Sequence, residues 1–188
     1  MRSLLDKLIS PVQNAFIPGR SSHDNILLTH EIMHKFKNLK SRTSWVAIKL
    51  DMEKACDRLE WDFILKFLPE LGFHPLWNKW IMEIISSVSY LVIVNDEPNG
   101  LFNPSMGIRQ GGPLSPYICI ICMESLNYLL CKEAREQKSG IGIKLGPGTA
   151  TISYLMFADV CLLFCRTNSN SFSVLKNTLD KFAIHLTD

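Results

Sequence analysis

The sequence predicts an α+β fold, in which helices accompany two single strands and two antiparallel hairpins. Residues 22–40 and the segment that begins at Pro113 carry apolar side chains at helical spacing, whereas residues 88–102 and 151–165 contain strand-like runs around turn signals. The chain has 188 residues, which suffices for one domain with a sizeable core and hardly for two. We therefore expect a single domain over residues 1–188.

The first half of the chain predicts four helices and one strand. Asp24 is a favourable N-cap for a helix over residues 22–40. The apolar face of this helix consists of Leu28, Ile32, Phe36 and Leu39. The other elements are the end of an amphipathic helix over residues 1–9, a buried strand over 44–51, and helices over 60–71 and 75–86.

The second half predicts the two hairpins around a core helix. Alternation of Val88, Tyr90, Val92 and Val94, followed by the turn-rich residues 95–100, indicates the first hairpin. Pro113 opens a helix that is apolar nearly all round, which is typical of a buried helix. The remaining elements are a short strand over 140–145, a second hairpin formed by 151–157 and 160–165, and an amphipathic helix from Phe172 to the C-terminus.

Two aspartates stand in similar settings although they are far apart in sequence. Asp51 ends one strand-like apolar run, and Asp159 lies near the tip of the second predicted hairpin. A carboxylate in apolar surroundings costs several kcal/mol unless it is paired or binds a metal. The pair therefore predicts one shared cation site and phosphate chemistry. Val160 stands where a third carboxylate would be useful.

The loop at residues 109–116 combines two glycines and two prolines ahead of the core helix. Glycine allows a ligand to approach the backbone closely, and Arg109 and Gln110 supply donors for phosphates or base edges. A structural turn that starts a helix explains the prolines equally well. Both interpretations stay open from the residues alone.

Two short patterns match zinc-binding motifs. The H-E-x-x-H pattern that starts at His30 puts His30 and His34 on one helical face, which also carries Lys37 and lies away from the apolar side. We expect these histidines to be exposed and without a third ligand, so a zinc peptidase is an outsider. Cys119 and Cys122 have C-x-x-C spacing inside the apolar helix, which favours core packing.

Composition excludes several classes of protein. The net charge is +2, so no strong electrostatic signature for nucleic acid is present. No apolar stretch is long enough to span a membrane. The N-terminus contains no signal-peptide core, so we expect an intracellular protein, in the nucleus or the cytoplasm, with six reduced cysteines.

Several segments occur in order along the chain. They are residues 13–20 (Gln-Asn-Ala-Phe-Ile-Pro-Gly-Arg) and 24–27, residues 49–58, residues 61–63, residues 109–116 (Arg-Gln-Gly-Gly-Pro-Leu-Ser-Pro) and residues 157–160 (Phe-Ala-Asp-Val). Together they resemble the reverse transcriptase of non-LTR (LINE-type) retrotransposons, most of all the plant elements. The resemblance covers essentially the whole chain.

The resemblance implies a right-hand polymerase palm, which is an antiparallel sheet backed by helices, with part of the fingers and no thumb. It implies RNA-directed DNA synthesis with an RNA template, a DNA primer, deoxynucleoside triphosphates and two Mg²⁺ ions. Asp51 and Asp159 are then the catalytic metal ligands. The residues implied to contact nucleotide, template or phosphate are Arg20, Cys56, Arg109, Gln110, Gly111, Phe157 and Ala158.

Three positions depart from the family pattern. Val160 replaces the second aspartate of the F-A-D-D box, Cys56 replaces the aromatic residue beneath the nucleotide sugar, and Gly112 replaces an aspartate common in plant relatives. The chain is also expected to be truncated at both ends relative to the family. We therefore expect weak or absent polymerase activity. The alternatives are a non-catalytic nucleic-acid-binding palm and a relic without function.

Overall fold

The computed structural model describes residues 2–39, 44–135 and 140–187, and these form six helices and seven strands. The helices are α1 (Arg2–Leu8), α2 (Ser22–Asn38), α3 (Trp61–Glu70), α4 (Pro75–Ser86), α5 (Ser115–Arg135) and α6 (Ser169–Thr187). The strands are β1 (Trp45–Asp51), β2 (Tyr90–Val94), β3 (Glu97–Phe102), β4 (Ile143–Lys144), β5 (Thr151–Ile152), β6 (Tyr154–Phe157) and β7 (Val160–Arg166). The predicted α+β class is confirmed, and so is the order of elements.

The chain divides into two compact units. The first contains Met1–Glu53 and Pro116–Ala183, and the second contains Lys54–Ser115 and Ile184–Asp188. In sequence, the larger segment of the second unit, Lys54–Ser115, therefore lies between β1 and most of α5. Among the described residues, no helix is both long enough and apolar enough to cross a membrane. All six cysteines are free thiols.

The first unit is built on a three-stranded antiparallel sheet with the order β1-β7-β6. The register pairs Trp45 with Arg166 at one end of the β1–β7 ladder and Asp51 with Val160 at the other. Strands β6 and β7 form a hairpin in which Phe157 is also opposite Val160. The C-terminal end of β1 and the turn between β6 and β7 thus lie at the same end of the sheet.

Helix α2 covers one face of this sheet. Its Ile32 is fully buried in a cluster with Leu155, Phe164 and Ile143, and Phe36 stacks on Trp45 with ring centroids 5.7 Å apart. Ile32 and Phe36 belong to the apolar face that the spacing predicts, which is confirmed. Leu39 follows the last helical residue and remains more than a third exposed.

Helix α5 is the core helix that the sequence predicts. Its buried side chains are Ile118, Cys119, Ile120, Ile121, Cys122, Met123, Leu126 and Leu130. The helix begins at Ser115, two residues after the predicted start at Pro113. The Tyr154 hydroxyl lies 3.1 Å from Cys131 Sγ, which ties α5 to the sheet on the face opposite α2.

The hairpin of the second unit has a shorter turn than the sequence predicts. Only Asn95 and Asp96 form the turn, and both have positive φ, 51° and 64°, as a type I′ turn requires. Pro98 pairs with Ile93 inside β3, which is possible because the sheet has only two strands and proline is tolerated at an edge. The predicted turn over residues 95–100 is therefore wrong beyond Asp96.

Candidate functional site

Asp51 and Asp159 lie at the same end of the sheet in the first unit. Asp51 is the last residue of β1 and is directly opposite Val160, the first residue of β7. Asp159 belongs to the turn between β6 and β7 and immediately precedes Val160. The fold therefore brings together two carboxylates that are more than a hundred residues apart in sequence.

Neither carboxylate is buried in a strand. The Asp51 side chain is 61% exposed, and its Oδ2 lies 3.3 Å from the Nζ of Lys49. Asp159 is half-buried in the turn. The predicted buried strand is thus wrong, since β1 is an edge strand of the sheet and its residues are half-buried or exposed. Solvent and Lys49 reduce the cost of the Asp51 charge.

Val160 occupies the centre of a row of three residues across the sheet. Asp51 and Phe157 are its direct partners on the two sides. Side chains of directly opposite residues share a face, with Cβ atoms about 4.5–5.5 Å apart. A carboxylate at position 160 would therefore lie beside that of Asp51. Val160 instead helps to line an apolar cleft of about 360 Å³ between α2 and the hairpin.

The turn that carries Asp159 has an unusual backbone conformation. Ala158 has φ +54°, a left-handed conformation that costs a residue with a Cβ about 1–2 kcal/mol. The fully buried side chain of Gln13 contacts both of its backbone polar groups. Gln13 Oε1 accepts from Ala158 N at 2.8 Å, and Gln13 Nε2 donates to Ala158 O at 3.0 Å.

Gln13 begins the first segment of the resemblance, but it is not among the site residues that the sequence predicts. The sequence evidence for a functional role of Gln13 is weak, since a lone glutamine beside an asparagine predicts only a polar loop. Only the structure shows that residues 12–14 run parallel to β6, where Met156 N donates to Val12 O at 2.9 Å and Asn14 N donates to Met156 O at 3.2 Å.

In the second unit, the loop that contains Arg109 pairs with the segment that follows β1. Ile108 N donates to Cys56 O at 2.8 Å, and Trp61 Nε1 donates to Gly107 O at 2.7 Å. A Cβ at Gly107 would come within 2.8 Å of Asp57 O, so only glycine allows this approach. Cys56 therefore lies next to the predicted nucleotide-binding loop.

The residues of this loop have different surroundings. Gln110 Nε2 donates to Asp57 Oδ1 at 3.2 Å, and Arg109 is exposed. Gly111 has φ +81° and open space around it. Asp57, Arg109 and Gln110 line a cleft of about 570 Å³ together with the stacked rings of Tyr90 and Phe102, whose centroids are 5.6 Å apart.

The family profile described as "Reverse transcriptase (RNA-dependent DNA polymerase)" matches residues 1–187. The chain belongs to this family. The resemblance to the reverse transcriptases of non-LTR retrotransposons is confirmed by relatives that are proteins of such elements. The Pol polyprotein of the type-2 retrotransposable element R2DM of Drosophila melanogaster is 27% identical over 175 residues, which are 93% of this chain and 15% of the relative.

Two further relatives come from a frog and a plant. The transposon TX1 149 kDa protein of Xenopus laevis is 28% identical over 77% of this chain and 11% of its own length. An uncharacterized mitochondrial protein of Arabidopsis thaliana is 48% identical over 37% of this chain and 56% of its own length. The reverse transcriptase chain thus spans a minor part of the transposon proteins and about half of the plant protein.

Solved structures of telomerase share the fold. Telomerase from Candida albicans, in complex with a fragment of telomeric RNA, has a TM-score of 0.63 at 16% identity over 88% of this chain and 28% of its own. Apo telomerase from Candida tropicalis has a TM-score of 0.58 at 14% identity over 97% of this chain and 32% of its own. The predicted palm-like architecture is thereby confirmed.

Arg20 has a different environment from the one that the resemblance implies. Its Nη1 donates to Ser10 O at 2.5 Å and to Gln13 O at 2.8 Å, and its Nη2 donates to Ile9 O and to Asp6 Oδ1, both at 3.0 Å. The side chain is only 14% exposed. Its donors are occupied within the protein, so the geometry favours a structural role over the implied phosphate contact.

The zinc-like patterns find no support in the part of this chain that the structure describes. His30 and His34 are exposed on α2, and Asn38 Nδ2 lies 3.2 Å from the Nε2 of His34. Cys119 and Cys122 are buried in α5, and burial raises the pKa of the Cys122 thiol. Within residues 2–39, 44–135 and 140–187, no three His, Cys, Asp or Glu side chains form a group that could hold a metal ion.

Reverse transcriptases generally use divalent metal ions, and the donor chemistry at the sheet end suits such an ion. Asp51 and Asp159 offer hard carboxylate oxygens at adjacent positions, which Mg²⁺ and Mn²⁺ prefer. Val160 offers no oxygen, and the Lys49 ammonium contacts one of the two carboxylates. The residues therefore fit a divalent cation, with one ligand fewer than a three-carboxylate site.

Proposed function

We propose that this chain is the palm and part of the fingers of an RNA-directed DNA polymerase whose metal centre at Asp51 and Asp159 is weakened by Val160. The observation that carries the proposal is the direct pairing of Asp51 with Val160, next to Asp159. In this register, a site at Asp51 and Asp159 would have two carboxylates, whereas the resemblance implies three. Polymerase activity should therefore be weak or absent while the fold is retained.

The two aspartates would hold Mg²⁺ through their carboxylate oxygens. When bound, the ions stabilise the attacking 3′-oxygen of the primer and the leaving pyrophosphate oxygens. Asp51 and Asp159 together supply two negative charges against four positive charges of two Mg²⁺ ions, and the ammonium of Lys49 adds another positive charge beside Asp51. A third carboxylate at position 160 would reduce this imbalance.

The loop of the second unit would bind the template and the incoming deoxynucleoside triphosphate. Arg109 offers exposed donors for phosphate, and Gly111 lets the ligand approach the backbone. Gln110 is positioned by Asp57. Cys56 would lie near the sugar, where its small side chain leaves more room than an aromatic ring. Phe157 and Ala158, in the hairpin of the first unit, would contact the primer or nucleotide.

A second candidate function is nucleic-acid binding without catalysis. The cleft lined by Arg109, Gln110 and the Tyr90–Phe102 ring pair does not depend on the residue at position 160. Exposed aromatic faces and an arginine are suited to bases and phosphates of single strands. With a net charge of +2, this binding should be weak and sensitive to salt. An electrophoretic shift on an RNA–DNA hybrid tests it, and no shift at low salt removes it.

Primer extension on an RNA template with Mg²⁺ tests the proposed function. The chain is compared with Val160→Asp, with Val160→Asn, which adds no charge, and with the double variant Val160→Asp/Asp159→Asn. We expect Val160→Asp to raise the rate by roughly tenfold or more, which corresponds to about 1.4 kcal/mol of transition-state stabilisation. The double variant should lose this gain. Robust extension by the unchanged chain would refute the proposal.

A further inference from the structure

The side chain of Gln13 and the backbone of Ala158 form a closed pair of hydrogen bonds. Gln13 Oε1 accepts from Ala158 N, and Gln13 Nε2 donates to Ala158 O, at 2.8 Å and 3.0 Å. The glutamine amide thus bonds to the turn residue as a neighbouring strand would. Gln13 is fully buried and Ala158 is half-buried, so the protein shields these bonds partly from water.

The residue that is held in this way determines the direction of Asp159. Ala158 has φ +54°, which residues with a Cβ rarely adopt, so the turn needs external contacts to keep this conformation. Asp159 is the next residue, and rotation about the Ala158 backbone would move its carboxylate relative to Asp51. Gln13 is the side chain that satisfies both backbone polar groups of Ala158.

Gln13 is itself fixed on its other side. Arg20 Nη1 donates to Gln13 O at 2.8 Å, and Ala15 N donates to Gln13 Oε1 at 3.1 Å. The backbone of residues 12–14 pairs with Met156 in β6, and Asn25 Nδ2 also donates to Met156 O at 2.9 Å. The amide of Gln13 is therefore held rigidly at the end of this hydrogen-bonded segment.

We propose that Gln13 is a positioning residue that aims the Asp159 carboxylate at the cation site, with Arg20 fixing Gln13 in turn. The proposal rests on the metal centre proposed above. It gives the buried Arg20 a part in the same arrangement, through the backbone of Gln13. Residues that orient metal ligands in this way typically change metal affinity by roughly 10–100-fold when they are replaced.

The test uses Gln13→Met, which keeps the volume of the side chain and removes both hydrogen bonds. Asn14→Ala is the matched control, because Asn14 is a buried neighbour that bonds to Ser21 O and Asn25 Oδ1 and not to the turn. Mn²⁺ affinity is measured by titration calorimetry in the full chain with Val160→Asp, and amide hydrogen exchange of Ala158 is measured by NMR. Asp159→Asn serves as the reference for loss of the ligand.

We expect Gln13→Met to weaken Mn²⁺ binding by roughly tenfold or more and to accelerate exchange of the Ala158 amide, whereas Asn14→Ala changes neither. Suppose that the parent binds Mn²⁺ through Asp159 and that Gln13→Met leaves the Mn²⁺ affinity unchanged. This result would overturn the positioning role of Gln13, even if the Ala158 amide exchanges faster. If the parent and its Asp159→Asn variant bind Mn²⁺ with the same affinity, the proposed metal centre is itself wrong.

A second variant keeps the test valid if Gln13→Met does not fold. Gln13→Glu retains the acceptor for Ala158 N, and its carboxyl can donate to Ala158 O only when protonated. Protection of the Ala158 amide against exchange, relative to the same amide in the unchanged chain at each pH, should therefore be high at low pH and fall as the pH rises. An exchange rate with the same pH dependence as the unchanged chain would contradict the proposal.

Discussion

Asp51 and Val160 are direct partners in the β1–β7 ladder, and their side chains share one face of the sheet. A single substitution at position 160 therefore changes the immediate surroundings of a carboxylate that is more than a hundred residues away in sequence. With valine at position 160 the strands and their pairing are intact, so we expect a carboxylate there to affect ion binding more than folding.

Val160→Asp should make stability depend on divalent cations. Without a cation, the new carboxylate lies beside Asp51 and repels it, which should lower the free energy of unfolding by up to about 1 kcal/mol. Adding Mg²⁺ should reverse this loss and raise Tm. Thermal melts with and without Mg²⁺ measure the effect. A rise of the same size in Val160→Asn would contradict it, because that side chain adds no charge.

Lys49→Gln should strengthen cation binding at the sheet end. It removes the ammonium that lies 3.3 Å from Asp51 Oδ2, but both groups are exposed, so solvent limits the gain to less than about 1 kcal/mol, or fivefold. The gain should shrink as salt increases. Mn²⁺ titration at two ionic strengths measures it. Lys176→Gln is the control, because it removes the same charge from an exposed position on α6. An equal gain in Mn²⁺ affinity in this control would show a general effect of charge.

Gly112→Ala should destabilise the loop before α5. An added Cβ would come within 2.7 Å of Ser115 Oγ and 3.2 Å of Arg109 O, while Ser115 Oγ donates to that same carbonyl. We expect a loss of about 1–3 kcal/mol, as in other overpacked sites. Urea unfolding of the single variants and of Gly112→Ala/Ser115→Ala measures it. Strict additivity in this cycle would show that Ser115 is not the obstacle.

Glu124→Gln should flatten the pH dependence of stability. Burial raises the pKa of Glu124 from 4.5, although Ser10 N, Asn127 and Arg20 act in the opposite direction. A raised pKa in the folded state means that the folded form resists ionisation, so the contribution of Glu124 to stability is full below its unfolded pKa and is lost as the pH rises. The free energy of unfolding of Glu124→Gln, relative to that of the unchanged chain, should therefore rise from pH 4 to pH 8. Urea unfolding at each pH measures this difference. Parallel pH profiles would contradict this.

The sequence predicts the elements well because their signals are local. The apolar face of α2 and the apolar surface of α5 follow directly from side-chain spacing, and both are confirmed. The sequence predicts a turn that is too long around Asn95 and Asp96. The reason is that Pro98 and Gly100 disfavour strands in general but are tolerated in this edge strand.

The surroundings of the site residues depend on tertiary structure that spacing does not encode. Exposure of Asp51 follows from the edge position of β1, and the contacts of Arg20 follow from how the chain turns back after α1. The family assignment came from ordered motifs, which indicate a position in sequence but not its hydrogen bonds. For that reason the role of Gln13 became visible only in the fold.

The strand order also determines when the site can form during synthesis. Strand β1 pairs with β7, and Gln13 bonds to Ala158 across 145 positions, with residues 54–115 of the second unit lying between them in sequence. A nascent chain that has emerged only as far as α5 has made Asp51 but has no partner strand for it. Closing so long a loop costs entropy before any contact compensates, so the sheet end should be among the last parts to assemble. Strand β7 must therefore leave the ribosome before Asp51 and Asp159 can lie at the same end of a sheet.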